Sequence, residues 1–138
     1  MSVVHDITHH RQVRMLMIET VHRERAPVKE LPFLLWFGVY CKNPPGGAFW
    51  DPHETEALDE IEDDLLAVVR RRKPGWAVYP LRIATPGLRE YYIYVNDSTW
   101  HDVIIAEIRA HHPGYRIETD ATLDDEWERY RTFLPERL

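Results

Sequence analysis

The sequence has a single cysteine, Cys41, so no disulfide can close within the chain and the fold must be held by packing. That usage fits a reducing compartment, and the cytoplasm is the expected location. No apolar run is long enough for a bilayer: the longest, Leu31 to Cys41, falls well short of the ~20 residues a spanning helix needs. Met1 to His10 is polar, with three histidines and an aspartate, and lacks the basic start and apolar stretch of a signal peptide. Positive charge is in deficit, 17 Lys and Arg against 23 Asp and Glu, for a net charge of -6. Such a field repels phosphate backbones, which disfavours nucleic acid, and suits a basic protein surface. Glycine is scarce, and no phosphate-cradling loop, dinucleotide fingerprint or G-x-S-x-G is present. Pro45-Gly46-Gly47 precedes a helix but has no lysine after it.

What remains is ordinary globular material. The 44% hydrophobic and 29% charged fractions, over 138 residues, describe one domain able to bury a core. Residues 1–27 form an N-terminal segment in which Gln12 to Val21 reads as a strand or a short helix, the strand being favoured, and residues 28–138 form a single α+β domain. Leu31 to Cys41 is apolar on both faces, which predicts a central strand. A loop around Pro44-Pro45-Gly46-Gly47 leads to a helix with Asp51 as N-cap, Pro52 at its first position and Glu54 completing a capping box. Leu58, Ile61, Leu65, Val68 and Val69 are its buried stripe, Arg70 to Lys73 complement its C-terminal dipole, and Pro74-Gly75 stops it.

Trp76 to Ala84 and Arg89 to Asn96 read as a hairpin closed by a type II turn at Thr85-Pro86-Gly87-Leu88. Pro80 predicts that the first of these lies at an edge. A second helix starts near Asp97 or Ser98, buries Trp100, Ile104 and Ile108, and ends at His111-His112-Pro113-Gly114. Tyr115 to Thr119 reads as a short edge strand. Asp124 caps a last helix with the stripe Trp127, Tyr130, Phe133 and Leu134, closed by Pro135. The expected fold is a ferredoxin-like βαββαβ sandwich with an extra N-terminal strand or segment and a C-terminal helix.

A bare sheet of that kind has one open face. Here Phe33, Leu35, Phe37 and Val39 point one way, and Leu34, Trp36 and Tyr40 the other, joined by Tyr92 and Tyr94. The second face therefore needs a cover: the N-terminal segment, the last helix, a second subunit or a ligand.

Several of these residues together resemble a known family. Glu60-Ile61-Glu62-Asp63-Asp64-Leu65 resembles one hallmark of the domain of unknown function 695 family. Thr85, Gly87 (one position early), Arg89, Glu90 and Tyr94 resemble a second. Asp124-Asp125-Glu126-Trp127-Glu128-Arg129-Tyr130, followed by Leu134-Pro135, resembles a third. The likeness runs from about Leu31 to the C-terminus. The family is similar in places to the B-type regulator of ribonuclease E activity, an acidic inhibitor of an RNA-processing enzyme, which implies a regulatory interaction module by association alone.

The chemistries the residues could carry each have a plainer reading. Glu62, Asp63 and Asp64 point in different directions from a helix, so they read as a solvated face rather than a metal site. No histidines show the spacing of a metal-binding helix, and His111-His112 suits a helix C-terminus. Cys41 reads as a small buried side chain. No metal or cofactor is expected. Trp127 and Tyr130 are either the buried face of a docking helix or, with Tyr92, Tyr94 and Arg89, an aromatic and cationic wall for a partner.

The function expected is a non-enzymatic cytoplasmic interaction or regulatory domain, binding a protein partner or another copy of itself. The candidate contact residues are Glu62, Arg89, Tyr92, Tyr94, Trp127 and Tyr130. The alternatives are a small hydrolase, in which Glu62, Arg89 and a histidine converge on a pocket, and a small-ligand site in a cleft lined by Trp36 and Tyr94.

Overall fold

The computed structural model describes residues 2–9, 12–43, 49–72 and 77–135, with the strands before residue 15 as backbone only. The loop expected around Pro44 to Gly47 and the helix stop at Pro74-Gly75 lie outside the described residues. Among the described residues six strands form one antiparallel sheet: β1 (Ser2–His9), β2 (Gln12–Glu19), β3 (Phe33–Tyr40), β4 (Ala77–Thr85), β5 (Leu88–Val95) and β6 (Arg116–Leu123). The helices are α1 (Thr55–Arg72), α2 (His101–His111) and α3 (Glu128–Phe133). No helix among the described residues is long and apolar enough to cross a membrane.

Across the sheet the order is β1-β2-β4-β5-β3-β6. The last four strands stand in the order of the split βαβ arrangement, with β3 central between β5 and β6 as its doubly apolar sequence requires. The N-terminal segment adds a two-stranded ribbon, with β2 paired to β4 over Met15 to Ile18. The chain is thus an α+β fold with an extended sheet. β4, expected at an edge, is therefore interior along part of its length. Pro80 is tolerated because the β2 ladder on β4 covers only Leu81 to Ala84, and because the pairing with β5 shifts register between Val78 and Leu81. Gly87 has φ 83°, as the second central residue of a type II turn needs.

The two faces carry separate cores. Leu35, Phe37 and Val39 of β3, with Tyr91, Ile93 and Val95 of β5, pack under the expected stripe of α1 and under Ile104, Ile105 and Ile108 of α2. On the other face Leu34, Tyr92, Tyr94, Leu81 and Ile83 meet Leu16 and Ile18 of β2, Leu31, and Trp127 and Tyr130 beside and on α3. The chain itself supplies this cover, through its last helix and the residues after β2.

Three local readings need correction. Trp100, expected in the core, is 40% exposed, because α2 begins only at His101 and leaves it on the preceding turn with the Arg72 guanidinium 5.6 Å from its ring. β6 runs to Leu123, four residues beyond the expected end at Thr119, paired with β3 throughout. Glu54 makes no capping box. Asp51 does cap the start, its Oδ1 accepting from the His53 N–H at 2.9 Å. The buried Glu54 carboxylate turns inward and accepts from the backbone N–H of Lys42 (2.8 Å) and Asn43 (3.0 Å) and from the Tyr115 hydroxyl (2.9 Å). It ties the end of β3 to the start of β6. Burial alone pushes this carboxyl upward, but its donors outweigh that and hold it below its ordinary value.

Trp127 is fully buried, so Trp127→Ala is expected to cost about 3–5 kcal/mol in urea denaturation, whereas exposed Trp100→Ala should cost under about 1 kcal/mol. The depressed Glu54 carboxyl contributes stability that is complete above its ordinary value of 4.5 and is lost as pH falls through the lowered one. Glu54→Gln should therefore be less stable than wild type at neutral pH, with the difference closing below that value when denaturation is followed against pH.

Candidate functional site

Strand alternation sends Arg89 and Glu90 to opposite faces of β5, and each enters a different charge arrangement. Arg89 points toward α1, where it is 1% exposed. Its Nη1 lies 3.0 Å from Asp59 Oδ1 and 3.5 Å from Glu62 Oε1, and Arg82 on β4 donates to the same Glu62 oxygen at 2.7 Å. The guanidinium carbon stands 4.1 Å from the Trp50 ring centroid. Burial opposes the arginine's charge, yet Tyr91 and Asp59 outweigh it and hold its pKa above the usual value. Burial also pushes the Tyr91 phenol up to about 12, with Arg89 acting against it. Glu62 and Arg89 are thus brought together as expected, but they neutralise each other inside the helix layer, and no histidine joins them among the described residues.

Tyr94, Trp127 and Tyr130 are also brought together, as interior. Tyr94 stacks on Trp127 with centroids 4.1 Å apart and planes 14° from parallel, and Tyr130 meets Trp127 edge-on at 5.6 Å. The Trp127 indole donates to the Leu31 carbonyl (2.8 Å), Tyr94 donates to Asp124 Oδ2 (2.6 Å), and Tyr130 donates to the Glu19 carbonyl (2.5 Å). Asp124 also receives the backbone N–H groups of Glu128 (2.8 Å) and Arg129 (3.1 Å), so it does cap α3, but from three positions before the N-cap Trp127, because the helix starts later than expected. None of the three rings is exposed, so the aromatic wall expected for a partner is instead the cover of the sheet. Tyr94 also lies outside the cleft that the small-ligand reading gave it.

The cover is partial. Beyond α3 the sheet face opens into adjoining hollows of about 330 Å³ and 260 Å³ that share Glu90, Tyr92 and Arg129. Trp36, Asp120 and Thr122 line the larger one, and a third hollow of about 360 Å³ follows along the other side of Arg129. Glu90 Oε1 accepts from the Trp36 indole N–H at 3.1 Å and from the Tyr92 hydroxyl at 3.3 Å. The indole lies down on the strand over Gly38, where an added Cβ would come within 2.7 Å of Trp36 Cζ2. Arg129 sits 5.7 Å from the Tyr92 centroid. Burial raises the Tyr92 phenol above its ordinary value, and Glu90 adds to that. Sequence reasoning found Trp36 and Tyr92 but missed Arg129 and Asp120. Asp120 fell past the expected end of β6, although an extended alternation would have placed it opposite Trp36.

The remaining candidates are structural. Asp64 Oδ2 accepts from His111 Nδ1 (2.8 Å) and His112 Nε2 (2.9 Å), and Arg71 and Arg72 both pair with Glu107, so the end of α2 is fastened to α1. No group of three or more histidine, cysteine, aspartate or glutamate side chains among the described residues could hold a metal ion. Cys41 is half-buried, and burial, then Glu54, pushes its thiol pKa up, away from nucleophilic use.

Fold and site together define an α+β domain with one sheet face closed by helices and the other half closed by its own C-terminus. The chain belongs to DUF695, a family of unknown function, whose profile matches residues 11–135. That match takes in β2, which the resemblance read from the motifs had left aside. No curated protein matches the chain. Among solved structures it is similar to a hydantoinase/carbamoylase family amidase from Burkholderia ambifaria, at 14% identity and a TM-score of 0.39. The similarity covers 67% of this chain and 27% of the amidase, and a likeness of that size carries no argument about activity. Neither comparison touches the likeness to the B-type regulator of ribonuclease E activity.

Removing one partner of a buried ion pair strands the other, so Arg89→Ala is expected to destabilise the domain by about 3–5 kcal/mol. Arg89→Lys should recover only part of that, since a shorter side chain ending in a strongly hydrated ammonium does not reproduce both the contacts of Nη1 and the placement of the guanidinium carbon over Trp50. Equilibrium urea unfolding of the two variants measures both.

Proposed function

We propose that this chain is a non-enzymatic binding domain that holds a protein partner on the uncovered half of its second sheet face. The observation that carries this reading is the cleft over Trp36, Glu90 and Tyr92. The chain closes the rest of that face with its own Trp127 and Tyr130, yet leaves the half-buried Trp36 and Glu90 open beside them, with Tyr92 buried beneath. Tyrosine, tryptophan and arginine are the residue types that dominate binding hot spots, and all three line this cleft. The hydrolase reading has less support, because Glu62 and Arg89 are spent on each other. Self-association has less support too. Among the described residues the large exposed apolar side chains are Val21, Trp100, Val103 and Leu123, which lie in three separate stretches of the sequence.

The test is quantitative affinity capture from an extract of the source cells, with any retained protein then purified and its binding reconstituted. Wild type and Glu60→Lys, altered on the outer face of α1, should retain the same protein. Trp36→Ala and Glu90→Gln should each lose it by at least ~10-fold, about 1.4 kcal/mol. Retention that is insensitive to both cleft variants, or lost with Glu60→Lys alone, would sink the proposal.

A further inference from the structure

Resting on that reading, we infer that the group this cleft takes from its partner is a guanidinium, the side chain of an arginine in a basic segment. The floor is aromatic and fixed. Trp36 lies flat because position 38 is glycine, and its indole N–H and the Tyr92 hydroxyl both donate to the same oxygen of Glu90. The second oxygen, Oε2, accepts no hydrogen bond among the described residues. Asp120 faces Trp36 across the β3–β6 ladder, and neither it nor Glu90 has an ion pair among the described residues. Two unneutralised carboxylates beside an indole face and a phenol ring select a cation over a phosphate or a carboxylate.

The chain supplies a cation to this surface itself. Exposed Arg129 places its guanidinium by the Tyr92 ring, with no carboxylate partner among the described residues. It occupies part of the volume that an incoming arginine would take, and it repels that arginine at the same time. A guanidinium suits the space better than an ammonium. It is planar, sheds water more readily, stacks on aromatic faces and can pair with a fixed carboxylate.

The neighbouring route for a peptide, strand addition along the outer edge of β6, is blunted. Arg109 donates twice to the Ile117 carbonyl, at 2.8 and 3.1 Å, and the Ala121 N–H is taken by Asp120 Oδ1 at 3.0 Å. The partner is therefore read through a side chain entering the cleft rather than through backbone pairing.

The experiment follows the Trp36 indole N–H resonance in ¹⁵N spectra of the whole chain, assigned with Trp36→Phe. The chain is titrated with the blocked tripeptide Ac-Gly-Arg-Gly-NH2 and with its lysine and citrulline counterparts. The arginine peptide should shift that resonance saturably. The lysine peptide should bind several-fold more weakly, and the uncharged citrulline peptide should leave the resonance in place. Glu90→Gln should weaken arginine binding by ~10-fold, and Arg129→Ala should strengthen it. An unmoved resonance in both wild type and Arg129→Ala, or weaker binding on loss of Arg129, overturns the inference. If the peptide fails while a captured partner still depends on Trp36, the guanidinium assignment falls and the binding-domain reading stands. If both fail, both fall.

Discussion

The structure depends on the stack between Tyr94 and Trp127. A sheet that is apolar on both faces must be covered twice, and the two long helices serve only one side. The other side has α3, six residues long, which could not stay helical alone in water because nucleation of so short a helix is unfavourable. Its order comes from the tryptophan before it. Trp127 adopts φ 54°, a left-handed conformation that costs roughly 1–2 kcal/mol for a residue with a side chain. Burial of the whole indole, the face-to-face contact with Tyr94 and the bond to the Leu31 carbonyl offset that cost.

Arg89 and Glu90 show how one dipeptide in a strand can serve two layers. The arginine is spent on the fold, with its charge compensated by α1 and its plane covered by Trp50. The next residue emerges on the opposite face, where its carboxylate is held by two aromatic donors. Two charges on covalent neighbours are thus kept apart by the thickness of the sheet, one in the helix layer and one on the opposite face.

Much of the fold could be read from the sequence, because its signals were local or strictly periodic. The alternation of Tyr91, Ile93 and Val95 with Tyr92 and Tyr94, the stripe of α1, the turn at Gly87 and the Asp124 cap all follow from backbone geometry alone. Pairings between distant segments were not legible. Nothing near Glu54 announced that its carboxylate would bind Lys42 and Asn43 rather than its own helix end, or that His111 and His112 would share Asp64. The candidate site was half legible for the same reason. Aromatic content pointed to the second face, but which rings were cover and which lined the opening depended on how far α3 reached across it. Pro80 misled because a local bulge and a short β2 ladder accommodate its lack of an N–H as well as a true edge does.

The bonds that close the second layer join residues far apart along the chain. Trp127 reaches Leu31 over 96 positions, Tyr130 reaches Glu19 over 111, and Arg23 reaches the Pro135 carbonyl over 112. Contacts of such separation form late, after the loop entropy between them has been spent. During synthesis the rest of the sheet leaves the ribosome before residues 127–135 do. In that interval Leu34, Tyr92 and Tyr94 face solvent as an adhesive surface. The last turn of helix is therefore the element that takes these side chains out of solvent.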